Sequence, residues 1–150
     1  MADNHTPEER SRNMAAIRSK DTEPEVYLRK KLFAKGYRYR KYKKNIPGHP
    51  DLFLAKYNTV IFINGCFWHR HQNCRYAYMP KSRAEFWENK FSRNTERDRK
   101  VKEDLQCKGI RCLIVWECTI RKMKKSSITE GEVIAQIEAF LKSEEVYMEI

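Results

Sequence analysis

The stretch Thr59-Val60-Ile61-Phe62-Ile63-Asn64-Gly65-Cys66-Phe67-Trp68-His69-Arg70-His71-Gln72-Asn73-Cys74 joins an apolar run to a dense polar cluster. Thr59 to Ile63 is β-branched and aromatic, which suits a buried strand, and Gly65 marks its exit. Two cysteines and two histidines then fall within nine residues, with Phe67 and Trp68 among them. Thiolate and imidazole are the ligands Zn²⁺ prefers, and a structural site takes four. A strand end, candidate metal ligands and aromatic side chains therefore meet at one place.

Upstream, Tyr57-Asn58 is a turn, and His49-Pro50-Asp51-Leu52-Phe53-Leu54 opens a preceding strand with Asp51 at its mouth. Pairing the two strands antiparallel brings the Asp51 carboxylate beside residues 63–69. Ile46-Pro47-Gly48 is a turn, and the alternation of Tyr and Arg from Tyr37 to Lys44 predicts a further strand with one aromatic and one basic face. Thr22-Glu23-Pro24-Glu25 predicts a helix start, with Thr22 at the N-cap and Glu25 closing a capping box; the helix runs to about Lys35, before Gly36. Glu25 shares the core-facing stripe of Leu28 and Leu32, so a catalytic role is the alternative to the cap, which is the favoured reading. Residues 1–20 form a basic arm with few large apolar groups, Met14 and Ile17 being the main ones.

Downstream, residues 83–108 predict the longest helix, with Trp87, Phe91, Asn94, Asp98, Val101 and Leu105 on one stripe. Asp98 on a buried stripe needs a partner or a job. Cys112 to Trp116 is a continuous apolar run, hence a central strand, and Glu117-Cys118 follows directly. Residues 130–142 predict a last amphipathic helix. The fold class is α/β: a central mixed sheet covered by helices on both sides, with residues 21–150 as one domain.

Charge is uneven. Residues 10–125 carry 30 Lys and Arg against 11 Asp and Glu, net +19, while the two ends carry 1 and 9, net −8, giving +11 for the chain. A concentrated basic body points to a polyanionic partner, nucleic acid first. No apolar run is long enough to span a membrane and the start is polar from Asp3, so the expected compartment is the cytoplasm. Five cysteines in a reducing compartment point to metal before disulfides.

Cys66, His69, His71, Cys74 and Cys118 are five candidates for four zinc positions. His69 and His71 lie two apart and point opposite ways in an extended loop, so one can bind metal while the other faces Asp51 as a general acid or base. A plain knuckle of Cys66, His69, His71 and Cys74 is the alternative.

The string Ile61-Phe62-x-x-Gly65-Cys66-Phe67-Trp68-His69-x-His71, with Pro47-Gly48-x-Pro50-Asp51, closely resembles the very short patch repair (Vsr) DNA mismatch endonucleases. The likeness extends to Arg10-Ser11-x-Asn13-Met14, Asp21-Thr22-x-x-Glu25, Glu85-Phe86-Trp87, Asn94-x-x-Arg97-Asp98 and Leu113-Ile114-Val115-Trp116-Glu117-Cys118. It implies a restriction-endonuclease-like fold and Mg²⁺-dependent nicking of duplex DNA 5′ of the thymine in a T·G mismatch. It implies that Asp51 and the Ile63 main-chain carbonyl hold Mg²⁺, that His69 is the catalytic histidine, and that Glu25 and Asp98 support them. It gives Cys66, His71, Cys74 and Cys118 to a structural zinc, and Phe67, Trp68, Trp87 and Met14 to intercalation beside the mismatch. It implies a monomer; mismatch-repair proteins are the candidate protein partners. Two departures stand out: Asn64 replaces a histidine of a close relative, and two residues rather than one separate His71 from Cys74. The readings from other classes are a non-catalytic zinc-stabilised DNA-binding module and a restriction-like nuclease without mismatch preference.

Overall fold

Hydrophobic runs and helical stripes resolve, in a computed structural model that describes residues 6–9 and 20–150, into one mixed sheet between helical layers. In chain order the elements are α1 (Glu23–Ala34), β1 (Arg40–Lys41), β2 (Leu52–Leu54), a 3-10 turn (Ala55–Tyr57), β3 (Thr59–Asn64), α2 (Ala84–Cys107), β4 (Arg111–Trp116), α3 (Glu117–Lys125), α4 (Ser127–Lys142) and β5 (Tyr147–Glu149). The sheet order is β1-β2-β3-β4-β5. The strands from β1 to β3 pair antiparallel, whereas β4 runs parallel to both β3 and β5. A parallel pair needs a long crossover, and α2 supplies it between β3 and β4.

Alternation along the central strands sends side chains to two cores. Leu52, Leu54, Ile61, Leu113 and Val115 pack with Leu28 and Leu32 of α1 and with the apolar faces of α3 and α4. Val60 and Cys112 face the other way, against Leu105 and Val101 of α2. Each fully buried Leu or Ile contributes about 1.5–3 kcal/mol relative to exposure, so the α1 stripe alone anchors that helix. Arg111 ties β4 to the far end of α4 by donating to the carbonyls of Phe140, Leu141 and Glu145. Such a cation satisfies carbonyls that a helix end leaves open.

Several expectations are corrected. The strand expected from Tyr37 to Lys44 shrinks to Arg40–Lys41, because Tyr42 turns left-handed at φ 51 and ends the pairing. β2 begins at Leu52 rather than His49, since His49 also takes a positive φ of 46. The helix α3 and the strand β5 were not expected. The segment 117–125 buries only Ile120 and Met123, too few to stand out in the sequence. β5 has three residues and takes its order from pairing with β4. α4 starts earlier than residue 130, because the Ser126 hydroxyl accepts from the Thr129 N–H at 3.3 Å.

The arm assigned to residues 1–20, with Met14, lies outside the described residues apart from 6–9 and Lys20. Among the described residues no helix is long and apolar enough to cross a membrane, and no disulfide joins the five cysteines.

Candidate metal and catalytic centre

Asp51 immediately precedes β2, and the antiparallel register carries it to the far end of β3. There its Oδ2 accepts from the Ile63 N–H at 2.7 Å. Burial pushes the Asp51 carboxyl up to about 7; the Ile63 N–H opposes the rise and the Glu25 carboxylate adds to it. Glu25 is only 4% exposed. Neither acid forms an ion pair among the described residues; the nearby Arg29 pairs instead with Asp21, at 2.6 Å. Two carboxylates in a shared, partly desolvated site without a cation are a donor set that suits a hard divalent ion.

The capping box expected for Thr22 and Glu25 does not form. Thr22 takes an extended N-cap conformation but makes no side-chain cap hydrogen bond. Glu25 Oε2 accepts from the Tyr42 hydroxyl at 2.5 Å and from the Asp21 N–H at 3.2 Å. Tyr42 therefore packs behind Glu25, a contact that sequence reasoning missed. Its alternation with Arg read as one face of a strand, and nothing local announces a left-handed tyrosine.

His69 lies in the loop after β3, with its N–H bonded to the Gly65 carbonyl at 3.1 Å. Its Nδ1 is 2.7 Å from Asp98 Oδ2 on α2. Asp98 is not buried as expected: its side chain is 37% exposed, and that of His69 is 32% exposed. With Nδ1 engaged by Asp98, Nε2 is the ring nitrogen left to work. Asn94, one turn earlier on α2, donates to the Trp68 carbonyl at 3.1 Å and fastens the loop to the helix. A cavity of about 150 Å³ adjoins His69 and Asp98, with Phe62, Val101 and Ile114 in its wall.

The parallel register sets Asn64 of β3 opposite Trp116 of β4, so both strands end at one edge of the sheet. Cys66 leaves one strand there, and Cys118 stands in the first turn of α3 after the other. Left-handed turns at Arg70 and Asn73 fold the loop back. The ligand atoms of Cys66, His71, Cys74 and Cys118 lie within 4.8 Å of one another and could hold a metal ion. His71 Nδ1 is 3.4 Å from Cys118 Sγ, and its ring stacks on Trp116 at 4.1 Å and 6°. Burial lowers the His71 pKa and keeps the imidazole neutral, as a ligand must be. Burial pushes the Cys66 thiol up to about 12; the Cys118 N–H opposes the rise, and the Cys118 and Cys74 thiols add to it. His71 rather than His69 joins the cysteines, so the knuckle of Cys66, His69, His71 and Cys74 is not what the chain builds.

Beside this cluster Phe67 packs against Trp68 (5.1 Å), Trp87 (5.4 Å) and Phe91 (5.1 Å). Arg70 lies over the Phe91 ring at 3.9 Å and donates to the carbonyls of Phe67, Ala77 and Tyr78. Phe67, Trp68 and Trp87 stay half-exposed, so an aromatic surface borders both the His69 pair and the cysteine cluster.

Residues 2–75 match the family model described as DNA mismatch endonuclease Vsr. The chain is 40% identical over 141 residues to the DNA mismatch endonuclease Vsr of Escherichia coli (strain K12), covering 94% of this chain and 88% of that protein. The chain belongs to the Vsr family. It is also 46% identical over 121 residues to the type II nicking enzyme V.NmeAIP of Neisseria meningitidis serogroup A, covering 81% of this chain and 86% of that protein. The type II nicking enzyme V.XorIIP of Xanthomonas oryzae pv. oryzae is 40% identical over 120 residues, covering 80% and 88%. In this Vsr-family chain the residues singled out from sequence fall into four groups: Glu25 with Asp51 and Ile63, His69 with Asp98, the four metal-ligand candidates, and the aromatic trio. Met14 lies outside the described residues.

Proposed function

We propose that the protein is a Mg²⁺-dependent endonuclease that nicks duplex DNA 5′ of the thymine in a T·G mismatch. The observation that carries the reading is the Asp51 carboxylate, hydrogen-bonded to the Ile63 N–H at 2.7 Å beside a buried Glu25. Asp51 and the Ile63 main-chain carbonyl hold the magnesium ion, with Glu25 in support. When bound, the ion supplies Lewis-acid stabilisation of charge on the phosphate. His69, its Nδ1 engaged by Asp98, uses Nε2 to move a proton to or from the reacting oxygens. Phe67, Trp68 and Trp87, with Met14 from the arm of residues 1–20, wedge into the base stack. Unstacking costs about a few kcal/mol per step, and a mismatched base is less costly to extrude than a paired one.

Cys66, His71, Cys74 and Cys118 hold a structural Zn²⁺; three sulfurs and one nitrogen match its tetrahedral preference. The antiparallel pair β2–β3, with an acid at its mouth and parallel strands beyond, supports a restriction-endonuclease-like fold for residues 21–150. The protein acts as a monomer in the cytoplasm, with mismatch-repair proteins as its candidate partners; its relatives are bacterial enzymes.

The test is nicking of a labelled duplex with one T·G mismatch beside its T·A control, in Mg²⁺ and in EDTA. A single Mg²⁺-dependent nick next to the mismatched thymine is expected, lost by about 10³-fold or more in Asp51→Asn, since such metal stabilisation is worth several kcal/mol. Equal cutting of both duplexes overturns the mismatch preference. Binding without cutting moves the protein to the class of zinc-stabilised DNA-binding modules.

A further inference from the structure

We infer that Tyr42, held in a left-handed turn against Asp21, is the positioning residue that aims the Glu25 carboxylate at the Asp51 metal site. The inference rests on the reading of Asp51 as that site.

The first support is backbone strain. Tyr42 has φ 51 and Asp21 has φ 54. A bulky side chain in the left-handed region is a genuine outlier, and such conformations cost about 1–3 kcal/mol and persist only where the surroundings over-determine them. No regular pairing depends on the Tyr42 turn, because β1 has already ended at Lys41.

The second support is convergence. The Tyr42 hydroxyl donates to Glu25 Oε2 at 2.5 Å, and the same oxygen atom of Tyr42 accepts from the Asp21 N–H at 2.7 Å. The Asp21 N–H also reaches Glu25 Oε2, at 3.2 Å. Arg29, one turn beyond Glu25 on α1, locks the Asp21 carboxylate at 2.6 Å. Two strained residues from separate segments thus meet at one oxygen of a carboxylate that is 4% exposed. Both bonds take Oε2, and the same Glu25 side chain lies against the Asp51 carboxyl group. A carboxylate fixed in this way loses no rotamer freedom when it engages a cation or its water shell, and that preorganisation favours binding.

A purely structural role would make Tyr42 a clasp for the start of α1 and nothing more. The two roles separate in Tyr42→Phe, which keeps the ring and removes the one donor. The Mg²⁺ concentration for half-maximal nicking of T·G duplex is expected to rise roughly tenfold, the loss of one hydrogen bond to a charged group. The rate at saturating Mg²⁺ should stay within about twofold of wild type, since excess ion restores occupancy. Mn²⁺ titration of the free protein, followed by electron paramagnetic resonance, should weaken by a similar factor. Arg29→Gln, which acts through Asp21 and Tyr42, should give a smaller shift in the same direction and stands in if Tyr42→Phe does not fold. Unchanged half-saturation in both readouts overturns the inference, as does a lower saturating rate with unchanged metal affinity. Asp51→Asn is the control: if it keeps full Mg²⁺-dependent nicking, the metal-site reading itself falls. If Asp51→Asn is inactive while Tyr42→Phe is unshifted, only the role of Tyr42 falls.

Discussion

Asp51 keeps a carboxyl group where burial raises its pKa from 3.8 to about 7. In that window the folded chain holds a proton that the unfolded chain has released, so stability falls as pH rises from about 4 to about 7. The size is about 1.4 kcal/mol per unit of difference. Thermal melting of magnesium-free, zinc-loaded protein across this range should therefore show wild type losing stability relative to Asp51→Asn. Added Mg²⁺ should remove much of the difference at pH 7, because it binds the ionised form. A parallel pair of melting curves from pH 4 to pH 7 would remove burial as the cause. The His69–Asp98 contact makes a second prediction. Asp98→Asn can present an N–H to Nδ1 and stabilise the wrong tautomer. Single-turnover nicking at saturating Mg²⁺ should drop by about 10²-fold with DNA affinity little changed.

At the scale of elements, Gly48 shows how closely the loop before β2 approaches α2. A Cβ there would stand 2.6 Å from Val101 Cγ1 and 2.9 Å from Phe62 Cζ, on a backbone with φ +81. Gly48→Ala should cost about 2 kcal/mol or more in urea denaturation, from overpacking and from the left-handed backbone together. The same loop leads to Asp51, so activity should fall with stability. The cysteine cluster joins the loop that leaves β3, from Cys66 to Cys74, to the start of α3, which lies far along the chain. Cys118→Ser should reduce bound zinc from about one ion per chain, measured by atomic absorption. Its melting temperature should fall even with the active-site residues intact. Zinc content equal to wild type in that variant would put the metal elsewhere.

At the scale of the molecule, the basic body and the net charge of +11 set the affinity for polyanions. Binding to a T·G duplex should fall steeply with salt, with a log–log slope of about −0.9 for each phosphate neutralised. A matched duplex should show a similar slope with a lower affinity, because phosphate contacts carry no sequence information. Fluorescence anisotropy at several salt concentrations checks both statements. A salt-independent affinity would detach the charge from the function.

The residues alone were enough, to within a residue or two at the ends, for the strands expected at Thr59 to Ile63 and Cys112 to Trp116, the helix starting at Thr22 to Glu25, the helix over 83–108, and the gathering of an acid, histidines and cysteines near one strand end. Each of these depends on short-range periodicity and on the chemistry of side-chain types, which a linear chain displays directly. The short strand β5 and the helix α3 escaped that reading, because their order comes from pairing and packing against β4 and α4 rather than from their own patterns. The residues by themselves also left open which histidine joins the cysteines and whether Glu25 caps a helix or serves Asp51. Those answers turn on distances between residues far apart in the chain: 47 positions between His71 and Cys118, and 17 between Glu25 and Tyr42. Only strand register and a few left-handed turns bring such groups within reach, and neither is written in the local pattern of apolar and polar residues.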